Sequence, residues 1–185
     1  CVSRGNGSHG FTGSGSQYSE CEANGNTGDG FATGGLSNIS KCTALSNRGD
    51  GISGGGASIV VECAVLYNHE HGIALSLDAN IIRGNICTGN GQGTNPGAGI
   101  FTQGVRNRIE GNSCQLNDLG IDVDGTRSVI VGNVCGANTT TNWSIVAGNS
   151  YGPIIDRSAT GGVAVNGNSA SSATATSDPT ANFTN

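Results

Sequence analysis

Bulky apolar side chains are the first shortage in this 185-residue chain, which has no methionine, one tryptophan, three tyrosines and four phenylalanines. Charge is scarce as well, at 11% of residues, with eight Lys plus Arg against thirteen Asp plus Glu for a net charge of −5. Such a composition cannot fill an ordinary globular interior. The few basic residues are scattered, which leaves no electrostatic footprint for nucleic acid. No apolar stretch approaches the length of a membrane span. Disorder is excluded for most of the chain, because Ile and Val recur at fixed intervals through the first 155 residues and disordered chains are poor in β-branched residues. What remains is a repeat architecture whose narrow core takes small and β-branched side chains.

Glycine, by contrast, is abundant at 33 residues, and seven cysteines act as a ruler. Cys1, Cys21, Cys42, Cys63, Cys87, Cys114 and Cys135 are separated by 20, 21, 21, 24, 27 and 21 residues, which is a period rather than a disulfide framework. Their surroundings keep phase. Asn6, Asn26, Asn47 and Asn68 each lie five residues after a cysteine, and a Gly followed by an apolar residue recurs at Phe11, Phe31, Ile52, Ile73, Ile100 and Ile121. In the later units Ile-x-Gly-Asn-x-Cys precedes the cysteine, starting at Ile82, Ile109 and Ile130. The longer intervals need only insertions at one turn, such as residues 91–97.

A leucine-rich repeat has a similar period, but Leu is sparse here and the frequent Gly and Asn oppose helix interiors. Each unit reads as two or three short strands separated by Gly/Asn turns. The expected fold is therefore all-β: a single-stranded, right-handed parallel β-helix of about seven coils over residues 1–156, then an irregular Ala/Ser/Thr/Gly-rich tail or cap over 157–185. Trp143, Tyr151, Pro153 and Ile154 are the candidate capping residues, since a solenoid must cover its last coil. The tail, with one apolar stretch at 163–165, is expected to lie back along the rod or to donate a strand to another subunit. No secretion signal is seen, and Cys1 already holds the repeated cysteine position, so the chain is expected to be part of a longer solenoid or a processed form.

The period makes residues about 21 apart axial neighbours, roughly 4.8 Å from one another. Ile39, Val60, Ile82, Ile109 and Ile130 should stack in the core, and asparagines should pass amide hydrogen bonds from coil to coil. Alternation should put Ile121 and Val123 inside and Asp122 and Asp124 outside. Glu20, Lys41 and Glu62 should alternate charge up one exterior column, as should Arg83 and Glu110. The seven cysteines are expected in one column, with three open readings: an inert thiol ladder, disulfide pairs, or a metal site.

The Gly-Asn-x-Cys-x-x-Asn pattern, the Asn107–Asn112 run Asn-Arg-Ile-Glu-Gly-Asn and the Gly120–Gly125 run Gly-Ile-Asp-Val-Asp-Gly resemble secreted right-handed parallel β-helix repeat proteins of the pectate-lyase-like, carbohydrate-binding and sugar-hydrolase group. The resemblance implies the fold and a possible polysaccharide partner, and carries no particular activity. The group's hydrolase pattern of Asn-Thr-Asp, Asp-Asp, Gly-His-Gly and Arg-Ile-Lys is missing, as is an epimerase-type Asp-Pro-His. His71-Gly72 lacks the preceding Gly, and Asn107-Arg-Ile109 lacks the Lys.

Candidate chemistry is thin. Asp122 and Asp124, with Asp118 and with Arg106, Arg108 and Arg127 nearby, form the one acidic cluster that could act as acid and base, against a plain solvated strand. Asp29 and Asp50 in Gly-Asp-Gly turns are metal candidates against a turn role, and no cofactor is expected. Arg48-Gly49-Asp50 spells an adhesion tripeptide, read as coincidence. Asn6, Asn38, Asn138, Asn142 and Asn182 open glycosylation sequons. The outward rows Ala32, Ser53, Ala74, Phe101, Asp122 and Gly34, Gly55, Ser76, Gln103, Asp124 begin as a small, flat, uncharged face suited to protein packing. The leading expectation is an extracellular or cell-surface structural protein, a fibre subunit assembling with itself. The alternative is a carbohydrate-binding or polysaccharide-degrading module.

Overall fold

A computed structural model describes residues 1–94, 96–158 and 177–185; positions 163–165 lie outside the described residues. The described chain is all β, and no helix in it is long and apolar enough to cross a membrane. Each coil has three short strands, Val2–Arg4, Phe11–Gly13 and Gln17–Ser19 in the first. Equivalent strands pair in parallel from coil to coil and make sheet A of nine strands and sheets B and C of seven each. The result is a parallel β-solenoid of about seven turns.

Short strands leave a narrow core to which sheets A and C each supply one inward column and sheet B two, the second running through Leu75, Thr102 and Val123. Sheet B supplies Phe11, Phe31, Ile52, Ile73, Ile100, Ile121 and Trp143. Sheet C supplies the expected Ile39, Val60, Ile82, Ile109 and Ile130, each fully buried. Burying a side chain of that size contributes roughly 1.5 to 3 kcal/mol. At the first coils the fill is aromatic: Phe11 stacks on Phe31 at 5.0 Å, and Tyr18 lies 5.7 Å from both.

The cysteines occupy two columns rather than one. Cys87 pairs with Val65, not with Cys63, so Cys87, Cys114 and Cys135 continue the inward column Ala23, Ala44, Val65 of sheet A. Cys21, Cys42 and Cys63 stand at the preceding corner, where Asn85, Asn112 and Asn133 take over. The 24-residue interval from Cys63 to Cys87 thus contains a shift of two positions within the coil. All seven cysteines are free thiols. Hydrogen bonding between neighbouring thiols, with burial, pushes Cys63 and Cys87 up, burial pushes Cys114 up, and the hydrogen bond with Cys63 lowers Cys42 to about 7.

Corners turn through left-handed residues. Between sheets C and A these are Glu20, Lys41 and Glu62 (φ 53, 52 and 54°), succeeded by Gly84, Gly111 and Gly132 (φ 65, 63 and 64°). The Gly of Gly-Asn-x-Cys therefore takes the place held earlier by a charged residue. The expected charge columns are present, with Glu20, Lys41 and Glu62 stacked at this corner and Arg83 in register with Glu110, while direct ion pairs form at Arg4–Glu22 (2.8 Å), Arg106–Asp78 (3.1 Å) and Arg108–Glu110 (2.7 Å).

Asparagine ladders lock the corners. Asn68 Nδ2 donates to Asn90 Oδ1 (2.9 Å) and to the Ala44 carbonyl (3.2 Å), while its Oδ1 accepts from Asn47 Nδ2 (2.9 Å) and Asn47 N (3.0 Å). All four hydrogen-bonding positions of the buried amide are filled. The ladder runs unbroken from Asn6 through Asn26, Asn47, Asn68, Asn90 and Asn117 to Asn138.

The end of the chain is part of this architecture. The strand Asn182–Thr184 slots between Val134–Gly136 and Ile154–Asp156 of sheet A. Asn182 is fully buried and accepts from Asn133 N (2.9 Å) and Nδ2 (3.2 Å), and Trp143 Nε1 donates to Thr184 Oγ1 (2.9 Å). The described end of the expected tail over 157–185 is thus a strand of the solenoid. A glycan cannot be attached to Asn182 in this state. Of the other sequon residues, Asn6 is exposed, whereas Asn38, Asn138 and Asn142 are half-buried, with Asn138 Nδ2 donating to Asn142 Oδ1 at 2.7 Å.

Two substitutions test these forces. Asn68→Ala leaves the donors of Asn47 without an acceptor and is expected to cost about 3 kcal/mol in urea unfolding; a loss well under about 1 kcal/mol would show that the ladder is dispensable. Leu36 is 74% exposed at φ 62°, so Leu36→Gly is expected to stabilise by about 1 kcal/mol, with Leu36→Ala giving no such gain.

Candidate functional site

The outward face of sheet B is not flat. Along the register, Ala32, Ser53 and Ala74 are followed by Phe101 and then Asp122. The large ring after three small residues makes a step. On the far side of the strands the backbone itself recedes: a Cβ on Gly55 would stand 2.8 Å from Gly35 N, so only glycine permits that approach. Small residues before the step and glycines beside it leave an open trough with a volume of about 430 Å³, lined by Asp50, Ser53, Ala74, Ser76 and Phe101 over a floor of Thr33, Gly34, Gly54 and Gly55.

One edge of the trough is a ladder of side chains from the turn before sheet B. His9 Nδ1 accepts from Asp29 N, Asp29 Oδ1 from Asp50 N, Asp50 Oδ1 from His71 N, and His71 Nδ1 from Ala98 N, each at 2.9 Å. Asp29 Oδ2 also accepts from Ser53 Oγ (2.6 Å) and lies 3.6 Å from His9 Nδ1. Asp29 and Asp50 thus serve as turn acceptors, and among the described residues no group of three or more His, Cys, Asp or Glu is arranged to hold a metal ion. With its carboxylate engaged by the next coil, Asp50 is not presented as an adhesion tripeptide requires.

This edge brings titratable groups to the trough in unusual states. Burial, then the neighbouring Asp29, raises Asp50 to about 7, so it holds a proton at mildly acidic pH. Burial lowers His71 despite Asp122 and Glu70. Because its Nδ1 accepts a hydrogen bond, His71 is a neutral ring with its proton on Nε2. That ring stacks on Phe101, centroids 4.6 Å apart and planes 11° from parallel. Burial also raises Asp122, tempered by Ser144, and Asp122 Oδ1 is enclosed without a hydrogen-bond partner.

Of the acidic cluster expected from sequence, Asp122 and Asp124 do share the outer face of sheet B, half-buried and exposed respectively. Asp118 is engaged elsewhere, accepting from Gly97 N (3.1 Å) and Thr139 Oγ1 (2.9 Å). Arg108 lies on a strand of sheet C, bound to Glu110, and does not join the aspartates. Arg106 is held by Asp78. The groups that sequence reasoning passed over are His71 and Phe101. The repeat already set Phe101 beside Ala74 in the outward row, as the structure has it, but only the structure brings the His71 ring onto Phe101.

No family model matches the sequence, and no curated protein matches it. Among solved structures, the chain is similar to the A-module of the Azotobacter vinelandii mannuronan C-5 epimerase AlgE4, with a TM-score of 0.58 and 16% identity over 78% of this chain and 47% of that one. It is also similar to the A-module of AlgE6 from the same organism, with a TM-score of 0.60 and 16% identity over 82% of this chain and 56% of that one. The chain spans about half the length of these structures. The likeness shows the fold, a parallel β-helix repeat protein.

The state of Asp50 has a measurable consequence. Its folded pKa of about 7 stands above its ordinary value of 3.8. Between those values the folded chain keeps a proton that the unfolded chain has released, so stability falls as pH rises through that window and is lowest above about 7. Asp50→Asn, which keeps the acceptor for His71 N, is expected to flatten that decline and to raise Tm at about pH 8. An unchanged profile of Tm against pH would refute the assignment.

Proposed function

We propose that this chain is a polysaccharide-binding β-helix module working at the cell exterior, with a glycan chain lying in the trough of sheet B. The observation that carries the reading is the trough itself: an open groove along stacked strands, hydroxyl-lined at Ser53 and Ser76 and closed at one end by Phe101. A sugar ring offers apolar C–H faces and peripheral hydroxyls, and it suits an aromatic wall beside short polar side chains. The two solved structures of similar fold are named for an activity on mannuronan, a polysaccharide, and they support the same substrate class here.

Proton-transfer groups stand at this groove. Asp50, holding a proton near neutral pH, is suited to give one, and neutral His71, stacked on Phe101, offers Nε2–H as a hydrogen-bond donor. These groups support a polysaccharide-modifying activity as an extension of the binding role. The self-assembling fibre reading depended on a flat, uncharged face, and the step at Phe101 with the acidic edge at Asp50 weighs against it.

Isothermal titration against a panel of neutral, amino and acidic oligosaccharides tests the binding role. At least one class is expected to bind, and Phe101→Ala to weaken it about tenfold, equivalent to about 1.4 kcal/mol, with far-ultraviolet circular dichroism unchanged. Binding that survives Phe101→Ala undiminished would move the site elsewhere.

A further inference from the structure

Resting on the trough as the glycan site, we infer that its ligand is a chain free of acidic groups, and that sugars bearing protonated amines are preferred over their neutral counterparts. The face carries charge of one sign. No strand of sheet B contains a lysine or arginine. Three of the arginines elsewhere are engaged: Arg4 is held by Glu22, Arg106 by Asp78 and Arg108 by Glu110. Arg48 borders a separate hollow with His69 and Glu70.

Carboxyl groups, in contrast, lie in the trough and past its ends. Asp50 lines it, Asp29 stands one coil below, and Asp122 and Asp124 continue the two outward rows beyond Phe101 and Gln103. His71 adds no positive charge, because Nδ1 is already an acceptor for Ala98 N. A glycan carboxylate in this groove would meet like charges with no partner for its oxygens, whereas an ammonium would meet acceptors.

The test uses the full chain and three oligosaccharides of equal length at near-neutral pH, where Asp50 begins to ionise, and low salt: a glucosamine oligomer with free amines, its N-acetylated form and a mannuronate oligomer. Titration is expected to give tightest binding of the amine form, about tenfold over the acetylated form, with the preference shrinking as salt is added. The mannuronate oligomer is expected to bind weakest. The double substitution Asp122→Asn with Asp124→Asn is expected to narrow the preference severalfold. Ser76→Lys, at an exposed position, is expected to bring in mannuronate binding. Mannuronate binding as tight as the amine form, or no difference between the amine and acetylated forms, would overturn the inference while leaving the trough as a glycan site. Binding of none of the three would overturn the site itself.

Discussion

The amide of a buried asparagine has two donors and two acceptor positions, and in this solenoid all of them are used to fasten one coil to the next. Asn47, Asn68, Asn90 and Asn117 each receive a backbone N–H and a side-chain N–H from below, and pass donors to the coil above and to a strand carbonyl. Such a unit tolerates no slippage, since a shift of one residue would strand several buried polar groups, at about 1 to 3 kcal/mol each. The register fixed at that corner dictates which side chains meet on every sheet.

Within that constraint the corners are permissive about chemistry and strict about conformation. The left-handed positions accept Glu, Lys, Leu, Tyr or Gly, because their side chains point to solvent and only the backbone is specified. The neighbouring buried position accepts Cys or Asn. Cys42 Sγ takes the N–H of Cys21, as Asn85 Oδ1 takes that of Cys63. Thiol and amide thus serve one role with different strength, and the stronger ladder lies toward the C-terminal coils, where Asn182 completes it.

The trough follows from the same stacking. Where successive coils present Ala, Ser and Gly, the face recedes, and where a coil presents Phe101, it rises. The turn ladder His9, Asp29, Asp50, His71 is a variant of the asparagine device, with carboxylates and imidazoles as acceptors. Because Asp50 and His71 are shifted by their burial in this ladder, the stacking that holds the coils also sets the charge beside the groove. Structural and chemical roles are therefore carried by the same residues, which is why Asp50 reads at first as a turn residue alone.

The sequence by itself determined the repeat, the parallel stacking, the Ile/Val core column and the first asparagine ladder, because each depends only on which residues share a phase of a 21-residue period. It also put Asp122 and Asp124 outside, since alternation along a strand needs no tertiary information. Only the tertiary structure decided what depends on small offsets or on shape. The two cysteine columns differ by two positions within a coil, an offset hidden in the 24-residue interval because insertions at turns look the same in a string of letters. The separation of Arg108 from Asp122 required knowing that a corner divides their strands. The insertion of Asn182–Thr184 into sheet A joins segments that no period relates. The trough came last, because concavity is made by what neighbouring coils leave unfilled, and emptiness has no residue of its own.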